Sequence, residues 1–417
     1  MAAVPSFVRH LIPDRGPIRV LAASNLARTV GNGVLISVTV LFFTRSVGIP
    51  ATQVGLGMTI AAVLGMLVSI PAGRVADVLG ARTAAIAFVA LQGLTICTYA
   101  LVGGFVGFVL ASTLVISAQS AADAARGALV AGVTKGKDRV RARAYLRSIT
   151  NIGVSIGAVA GGVALHFDSR PGYVSLLFAA GVLYVVAGLV FLKAPNVPPA
   201  AKSAEGDGPT WVVLRDRPFA VVALLNAVLV MNGGILTVAL PIWIAERTEA
   251  PTWVYSAILL LNTIMVVLFQ VRASQGSEDV EGGARALRRC GVLLAVCCGL
   301  FALAADQPAW LAVVALGLGA LVHVFGELLY SAGSWALAYE LAPEHAQGQY
   351  QGLFGMSTQL GSVITPVAAT TLVIGFGWPG WLVFAVVLLA AGLAAPAVAR
   401  WAQSTRPQQP AESALPA

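Results

Sequence analysis

The segment GRVADVLGAR, residues 73–82, is a short charged stretch between two long apolar runs. The runs cover residues 53–72 and 84–102, close to the roughly 20 apolar residues that a helix needs to cross a hydrocarbon core about 30 Å thick. Because lipid offers no hydrogen bonds to a free backbone, such runs must be helical inside a membrane. The segment therefore predicts two membrane-spanning helices joined by a polar turn.

Apolar runs of the same kind continue along the whole chain. Of its 417 residues 58% are hydrophobic and 11% charged, whereas soluble domains carry about 25% charged residues. The runs are apolar on every side, unlike the alternating strands of about ten residues in a β-barrel. We predict an all-α membrane protein whose twelve transmembrane helices cover residues 20–43, 53–72, 84–102, 105–130, 148–165, 173–192, 219–243, 253–271, 291–304, 309–338, 352–374 and 379–399, the ninth being the weakest.

The longest polar stretch lies near the middle of the chain, between the sixth and seventh runs, and has the composition of a linker. It predicts an N-terminal six-helix bundle (1–197), a cytoplasmic central loop (198–216), a C-terminal six-helix bundle (217–402) and a disordered cytoplasmic tail (403–417). A second basic stretch, residues 135–147, is expected to be a loop inside the first half.

The first and seventh runs share a pattern. Asn32-Gly33 in the first and Asn232-Gly233 in the seventh stand about one-third of the way across, and a similar apolar run follows each pair. Two repeated six-helix halves are typical of secondary transporters, which bind substrate between the halves. Chance similarity between apolar helices is the alternative.

The net charge of +8 is explained by topology and does not require a nucleic-acid partner. If the N-terminus is cytoplasmic, only Arg45, Arg170 and Arg247 fall outside, and only Arg28 and Arg126 fall within spans. This is the positive-inside bias. We therefore expect a multi-pass protein of the inner (cytoplasmic) membrane with both termini in the cytoplasm, and no nucleic-acid partner.

The segment of residues 73–82 resembles the Gly-x-Leu-Ala-Asp-Arg-x-Gly-Arg-Arg loop of the major facilitator superfamily, between the second and third helices. Val78 and Ala81 stand where arginines are usual in that family. The resemblance implies a fold of two six-helix bundles and a cytoplasmic latch, in which Asp77 accepts hydrogen bonds from a facing helix N-terminus. The alternative for Asp77 is a solvated loop charge. The matching residues are Gly73, Ala76, Asp77, Gly80 and Arg82.

The fifth run contains Gly153, Gly157 and Gly161 at four-residue spacing, with Ala158 after the second glycine. It resembles the glycine-rich signature of drug:proton antiporters within the superfamily, although a proline is usual at the position of Ala158. The resemblance implies efflux by antiport. Small residues at this spacing also let helices pack closely, and that alternative explains the glycines equally well.

Five ionisable residues fall within the predicted spans, where each charge costs about 2.5–3.5 kcal/mol. Glu327 is the first candidate for proton coupling because a buried carboxylate can titrate near neutral pH. Asp123, Arg126 and His323 are the other candidates, and Arg28 is expected either to pair with Asp123 or to contact substrate. A purely structural role is the alternative for each.

Polar residues along the same spans predict a mixed polar and apolar cavity. The charges within the spans sum to zero, so the sequence commits the pocket neither to cations nor to anions. The predicted substrate-binding residues are Arg28, Asn32, Gln119, Asn232 and Asn262.

These patterns lead to a hypothesis of proton-coupled export of a small amphipathic molecule by a monomer, with the substrate, protons and the lipid bilayer as partners. The alternatives are a proton-coupled importer and a non-transporting sensor on the same scaffold. No nucleotide loop, catalytic triad or metal-ligand spacing is present in the sequence, so we expect neither an enzyme nor a metal or cofactor. The four cysteines are expected to be packing residues.

Overall fold

A computed structural model describes residues 16–134, 137–165, 169–199 and 211–406 of the chain. The described residues form twelve long helices, which confirms the predicted all-α architecture. In chain order they are α1 (Pro17–Ser46), α2 (Ala51–Leu79), α3 (Ala81–Leu101), α4 (Phe105–Val133), α5 (Lys137–Leu165), α6 (Arg170–Lys193), α7 (Arg217–Arg247), α8 (Trp253–Ala273), α9 (Val280–Leu303), α10 (Ala309–Glu340), α11 (Glu344–Gly375) and α12 (Trp378–Ser404).

Eleven helices in the described part of the chain are long and apolar enough to cross a membrane, and α5 is the long helix that falls outside this set. Its first turns carry Arg139, Arg143 and Arg147, so the predicted basic loop is wrong where it overlaps α5. The ninth run, expected to be the weakest, is a complete helix because α9 begins at Val280, well before the apolar run.

Local signals fix several helix boundaries. Asp279 accepts a hydrogen bond from the Gly282 backbone N–H (2.6 Å) and so caps the start of α9, and Asp216 does the same for α7 through Phe219 (3.0 Å). Side-chain acceptors at this position satisfy donors that the helix leaves free. Between α2 and α3, Gly80 has φ +89°, a conformation that glycine adopts without strain.

The twelve helices pack as two halves with the same internal arrangement. Helix α1 packs on α5 and α6, α3 on α4 and α6, and α2 on α4. The same pairs recur six helices later, as α7 on α11 and α12, α9 on α10 and α12, and α8 on α10. A Cβ atom added to Gly93 would lie 2.5 Å from the Gly181 carbonyl oxygen, and one added to Gly291 would lie 2.9 Å from Gly392 Cα. Each half therefore has a close glycine crossing between equivalent helices.

Each half also has its own hydrophobic core. One cluster of buried side chains includes Phe43, Phe108 and Tyr184 from α1, α4 and α6, with Tyr339 from the other half. A second cluster gathers buried side chains of α7 to α12, with Ile70 from α2. Because the two clusters share so little, the halves are packed as separate bodies joined at an interface.

The predicted boundaries differ from the structure at two places. Residues 200–210 of the central loop lie outside the described residues, but Val212–Arg215 form a short helix. The expectation of a disordered tail from Gln403 is wrong at its start. Helix α12 continues to Ser404, and Arg406 pairs with Asp216 at 2.6 Å. Residues 407–417 lie outside the described residues.

Candidate functional site

A cavity of about 450 Å³ lies between the two halves. Its walls come mainly from α4 and α11, and Gln359 on α11 donates a hydrogen bond to the Ser120 hydroxyl on α4 at 2.8 Å. Most of the lining side chains are polar, and Trp335 and Phe354 add aromatic rings. The lining residues are Ser69, Gln119, Ser120, Asp123 and Arg143 from the N-terminal half, and Trp335, Gln351, Phe354, Gly355, Thr358, Gln359 and Ser362 from the C-terminal half.

The carboxylate in the N-terminal half belongs to Asp123. Arg126, three residues later on α4, donates to Asp123 Oδ1 at 2.9 Å and to Asn25 Oδ1 at 2.7 Å. Asn25 in turn donates to Thr150 on α5 at 2.8 Å. The expected Arg28–Asp123 pair gives way to the Arg126–Asp123 pair, and Arg28 contacts Asn25 Oδ1 at 3.5 Å. The Asp123 side chain is 44% exposed and faces the cavity.

The carboxylate in the C-terminal half belongs to Glu327 on α10. Its Oε1 atom accepts a hydrogen bond from Arg147 on α5, and its Oε2 atom accepts one from Asn262 on α8 at 2.8 Å. Arg147 also donates to the Ser331 hydroxyl at 2.5 Å. The Glu327 side chain is only 15% exposed. This ion pair therefore ties the two halves together inside the bundle.

The two carboxylates occupy equivalent positions in the repeat. Asp123 precedes Arg126 by three residues, as Glu327 precedes Tyr330. Arg126 donates to Asn25 Oδ1, and Tyr330 donates to Asn226 Oδ1 at 2.9 Å.

The repeat therefore aligns Asn25 with Asn226, and the same interval aligns Gly33 with Gly234. A Cβ added to Gly33 would lie 2.2 Å from the Val154 carbonyl oxygen on α5, and one added to Gly234 would lie 1.8 Å from Thr365 on α11. The Asn-Gly pairs that suggested the repeat are thus one residue out of register.

His323 lies one turn before Glu327 and is fully buried. Its Nε2 atom is 3.0 Å from the Asn232 carbonyl oxygen, a contact within the C-terminal half, and its Nδ1 atom has no hydrogen-bond partner among the described residues. Asn232 is also buried, and its side chain donates to the Leu229 carbonyl at 2.6 Å. The structure therefore places these two residues in the interior of one bundle.

Only one of the predicted substrate-binding residues, Gln119, is among the residues that line the cavity. Asn262 binds Glu327, Arg28 lies behind Arg126 on Asn25, and Asn32 is half-buried on α1. None of these three residues lines the cavity, so their contact with substrate stays a prediction.

Sequence reasoning missed the contribution of α5 to the site. Arg139, Arg143 and Arg147 recur every four residues, a spacing that places them on one face of a helix. That face meets α10, where Arg139 lies 3.7 Å from Glu340 and Arg143 donates to the Tyr339 hydroxyl. The four-residue spacing was the available signal, and the high density of charge concealed it.

The two charged residues that line the cavity, Asp123 and Arg143, sum to zero, but arginines next to the lining add positive charge, in contrast to the sum over the predicted spans. Arg126 neutralises Asp123. Arg28 and Arg143 have no carboxylate within 4.0 Å among the described residues. Arg28 and Arg126 approach the same oxygen of Asn25, so two guanidinium groups lie side by side next to the cavity wall.

The segment of residues 73–82 forms a contact between the halves. Asp77 accepts hydrogen bonds from the backbone N–H groups of Gly348 (2.6 Å) and Gln349 (3.0 Å), at the start of α11. A Cβ added to Gly73 would lie 2.0 Å from the Gly348 carbonyl oxygen, so this crossing requires glycine. Arg82 instead holds its own half together by donating to the Phe191 carbonyl at 3.2 Å. We refer to Gly73, Asp77, Gly348 and Gln349 as the latch.

The glycines of α5 pack against α1. A Cβ added to Gly153 would lie 2.0 Å from Thr29 Oγ1, one added to Gly157 would lie 2.0 Å from the Val30 carbonyl oxygen, and one added to Gly161 would lie 2.8 Å from Ser37. These contacts account for the glycines by close packing. No group of three or more His, Cys, Asp or Glu residues that could hold a metal ion is found in the described ranges.

Comparison with known proteins finds a matching family model and similar sequences. The family model of the Major Facilitator Superfamily matches residues 21–366. The multidrug resistance protein MdtH of Aeromonas hydrophila is 26% identical over 381 residues, which cover 88% of this chain and 91% of that protein.

Solved structures show the same fold at low identity. The human organic anion transporter MFSD10 matches with a TM-score of 0.69 at 17% identity, covering 92% of this chain and 100% of the other. A bacterial homologue of the iron transporter ferroportin in an outward-facing state matches with a TM-score of 0.70 at 17% identity, covering 93% and 99%.

Proposed function

Because the chain belongs to the Major Facilitator Superfamily, a family of membrane transporters, we propose that it exports a small amphipathic molecule in exchange for protons. Energy then comes from the proton gradient, and the two halves rock around the central cavity to expose it to each side in turn. One chain supplies both walls of this cavity, so the proposed functional unit is a monomer.

The observation that carries the proposal is the Glu327–Arg147 ion pair. It joins α10 of one half to α5 of the other and is largely buried. Separating a buried pair leaves two uncompensated charges, which costs about 3–5 kcal/mol. Protonation of Glu327 removes one of those charges and lowers the cost of separation. Proton binding to Glu327 is thereby linked to the opening of the interface between α5 and α10.

Two features support export as the direction. The relative MdtH is named as a multidrug resistance protein, and α5 carries the glycine spacing that resembles drug:proton antiporters. The cavity combines Trp335 and Phe354 with polar Gln119 and Gln359, a lining that suits a molecule with apolar and polar parts.

We place both termini on the cytoplasmic side of the inner membrane, supported by the distribution of Lys and Arg. The latch then lies at the cytoplasmic end. Asp77 stabilises the arrangement that is closed on this side, because a carboxylate at a helix N-terminus meets both free N–H groups and the positive end of the helix dipole.

The test uses inside-out vesicles that contain the protein, a pH-sensitive dye and a panel of amphipathic compounds. A transported compound is expected to dissipate an imposed pH gradient in wild-type vesicles and to be accumulated at its expense. Glu327→Gln should lose this coupling but retain exchange of labelled for unlabelled compound, which requires no net proton movement.

Glu340→Gln is the matched control, since Glu340 lies on the same helix and pairs with Arg139 across the interface at 3.7 Å. It should behave as wild type, because this contact is longer than a hydrogen bond and Glu340 Oε1 has no hydrogen-bond partner among the described residues. Proton antiport is contradicted if the wild type accumulates the compound independently of the pH gradient. It is also contradicted if accumulation by Glu327→Gln still depends on the pH gradient. Accumulation in right-side-out vesicles with an inward proton gradient contradicts export and indicates symport.

A further inference from the structure

We infer that the substrate is an organic anion whose acidic group binds Arg143, close to the positive charge of Arg28 and Arg126, and whose aromatic part lies against Trp335 and Phe354. The inference rests on the proposed function, because it takes the cavity between the halves to be the transport site. It adds the chemical class of the molecule carried.

The charges around the α4 wall motivate this assignment. Arg126 is occupied by Asp123 at 2.9 Å and Asn25 at 2.7 Å. Arg28 shares the same Asn25 oxygen at the longer distance of 3.5 Å, and its Nε atom is buried without a hydrogen-bond partner among the described residues. Arg28 is not among the cavity-lining residues, so it adds positive charge next to the α4 wall without a direct contact to the cavity.

Arg143 adds a third guanidinium, on the opposite side of the interface from Trp335. It lines the cavity, lies over the Tyr339 ring at 5.4 Å and donates to the Tyr339 hydroxyl. With Asp123 already paired to Arg126, the charge of Arg143 has no carboxylate within 4.0 Å in the described part of the chain.

Charges held away from water require compensation, and within membrane proteins they mark substrate pathways. A guanidinium group is suited to carboxylate, sulfonate and phosphate groups because its donors form a planar fork. Trp335 and Phe354 offer apolar and π surface next to these donors. An aromatic acid satisfies both parts of the cavity at once. An inside-negative membrane potential also drives an anion outward, in keeping with export.

The experiment measures binding of three matched probes to the full chain in detergent by calorimetry, with empty micelles as the blank. The probes are 2-naphthoate, 2-naphthamide and 2-naphthylmethylammonium, which share one ring system and differ in charge. We expect 2-naphthoate to bind at least about tenfold more tightly than either of the others, as is typical of charge-assisted hydrogen bonds. Arg143→Gln should abolish this preference.

Arg141→Gln is the matched control, because Arg141 is an exposed arginine on the same helix, and it should retain the preference. Equal or tighter binding of the amide or the amine, no binding of 2-naphthoate at millimolar concentration, or an anion preference that persists in Arg143→Gln overturns the inference. Binding in detergent needs no proton gradient. Anion binding without coupled transport therefore contradicts the proposed function alone, whereas coupled transport of neutral or cationic compounds contradicts the substrate class alone.

Discussion

The two halves of this protein hold a carboxylate at the same place in the repeat but pair it differently. Asp123 is held by Arg126 from its own helix, whereas Glu327 is held by Arg147 from the other half. A pair within one rigid body stays intact when the halves move. In the proposed transport cycle, a pair across the interface must break. The comparison suggests that Glu327 senses the conformational state and Asp123 tunes the local charge of the cavity.

The largest expected effect separates the two carboxylates directly. Glu327→Gln should reduce proton-driven accumulation by about 100-fold, because removing a charge from a buried pair changes its energy by about 3–5 kcal/mol. Asp123→Asn should leave accumulation proton-dependent, since no interface pair is lost. Vesicle uptake at matched expression checks both variants. Similar loss of coupling in both contradicts the division of roles.

The second prediction concerns the stability of the interface pair. Arg147→Gln leaves Glu327 buried with only Asn262 as a partner, and we expect a loss of about 3 kcal/mol in the conformer that contains the pair. The double variant Arg147→Gln with Glu327→Gln should recover much of this loss. Thermal unfolding in detergent of the four forms gives the coupling energy between the two residues. Additive losses contradict a direct pair.

The third prediction concerns the close packing of α5 against α1 in the N-terminal half. Gly157→Ala should destabilise the protein by about 1–3 kcal/mol, because overpacking forces α1 and α5 apart. Gly162→Ala is the control on the same helix, since a Cβ there meets nothing within 4 Å. Thermal unfolding compares the two. An equal effect at both positions contradicts close packing as the role of Gly157.

The smallest expected effect is at the latch. Asp77→Asn weakens two charge-assisted hydrogen bonds to the start of α11 and should cost about 1–2 kcal/mol. The conformer ratio then shifts by about tenfold. Gln351 is largely buried and lines the cavity, so labelling of Gln351→Cys by a reagent added on the latch side should accelerate accordingly. Unchanged labelling contradicts the latch, with Glu344→Gln as a nearby acidic control.

Much of the fold follows from composition, because the cost of burying backbone in lipid leaves helices as the solution for each apolar run. The latch contact of Asp77 was also expected, since a family motif marks it. The geometry of the charged site was not predictable in the same way. Arg147 lies in a charge-dense stretch that reads as a loop, and only the packing of α5 against α10 turns it into the partner of Glu327.

The repeat illustrates the same limit. Asn32-Gly33 and Asn232-Gly233 are identical in sequence, but the hydrogen bonds align Asn25 with Asn226. The equivalence of Asp123 and Glu327 follows from that register. Hydrogen-bond partners distant in sequence define it, and no local pattern contains them.

The central claim is that protonation of Glu327 releases the interface between the halves. Pulsed electron paramagnetic resonance can measure the separation of the halves between two spin labels. The labels are attached at Val159→Cys on α5 and Val367→Cys on α11, both exposed in the structure, in a Cys97→Ser background. The distance distribution of the wild type is expected to shift between neutral and acidic pH, and Glu327→Gln should show the acidic distribution at every pH. A pH-dependent shift that persists unchanged in Glu327→Gln would contradict the claim.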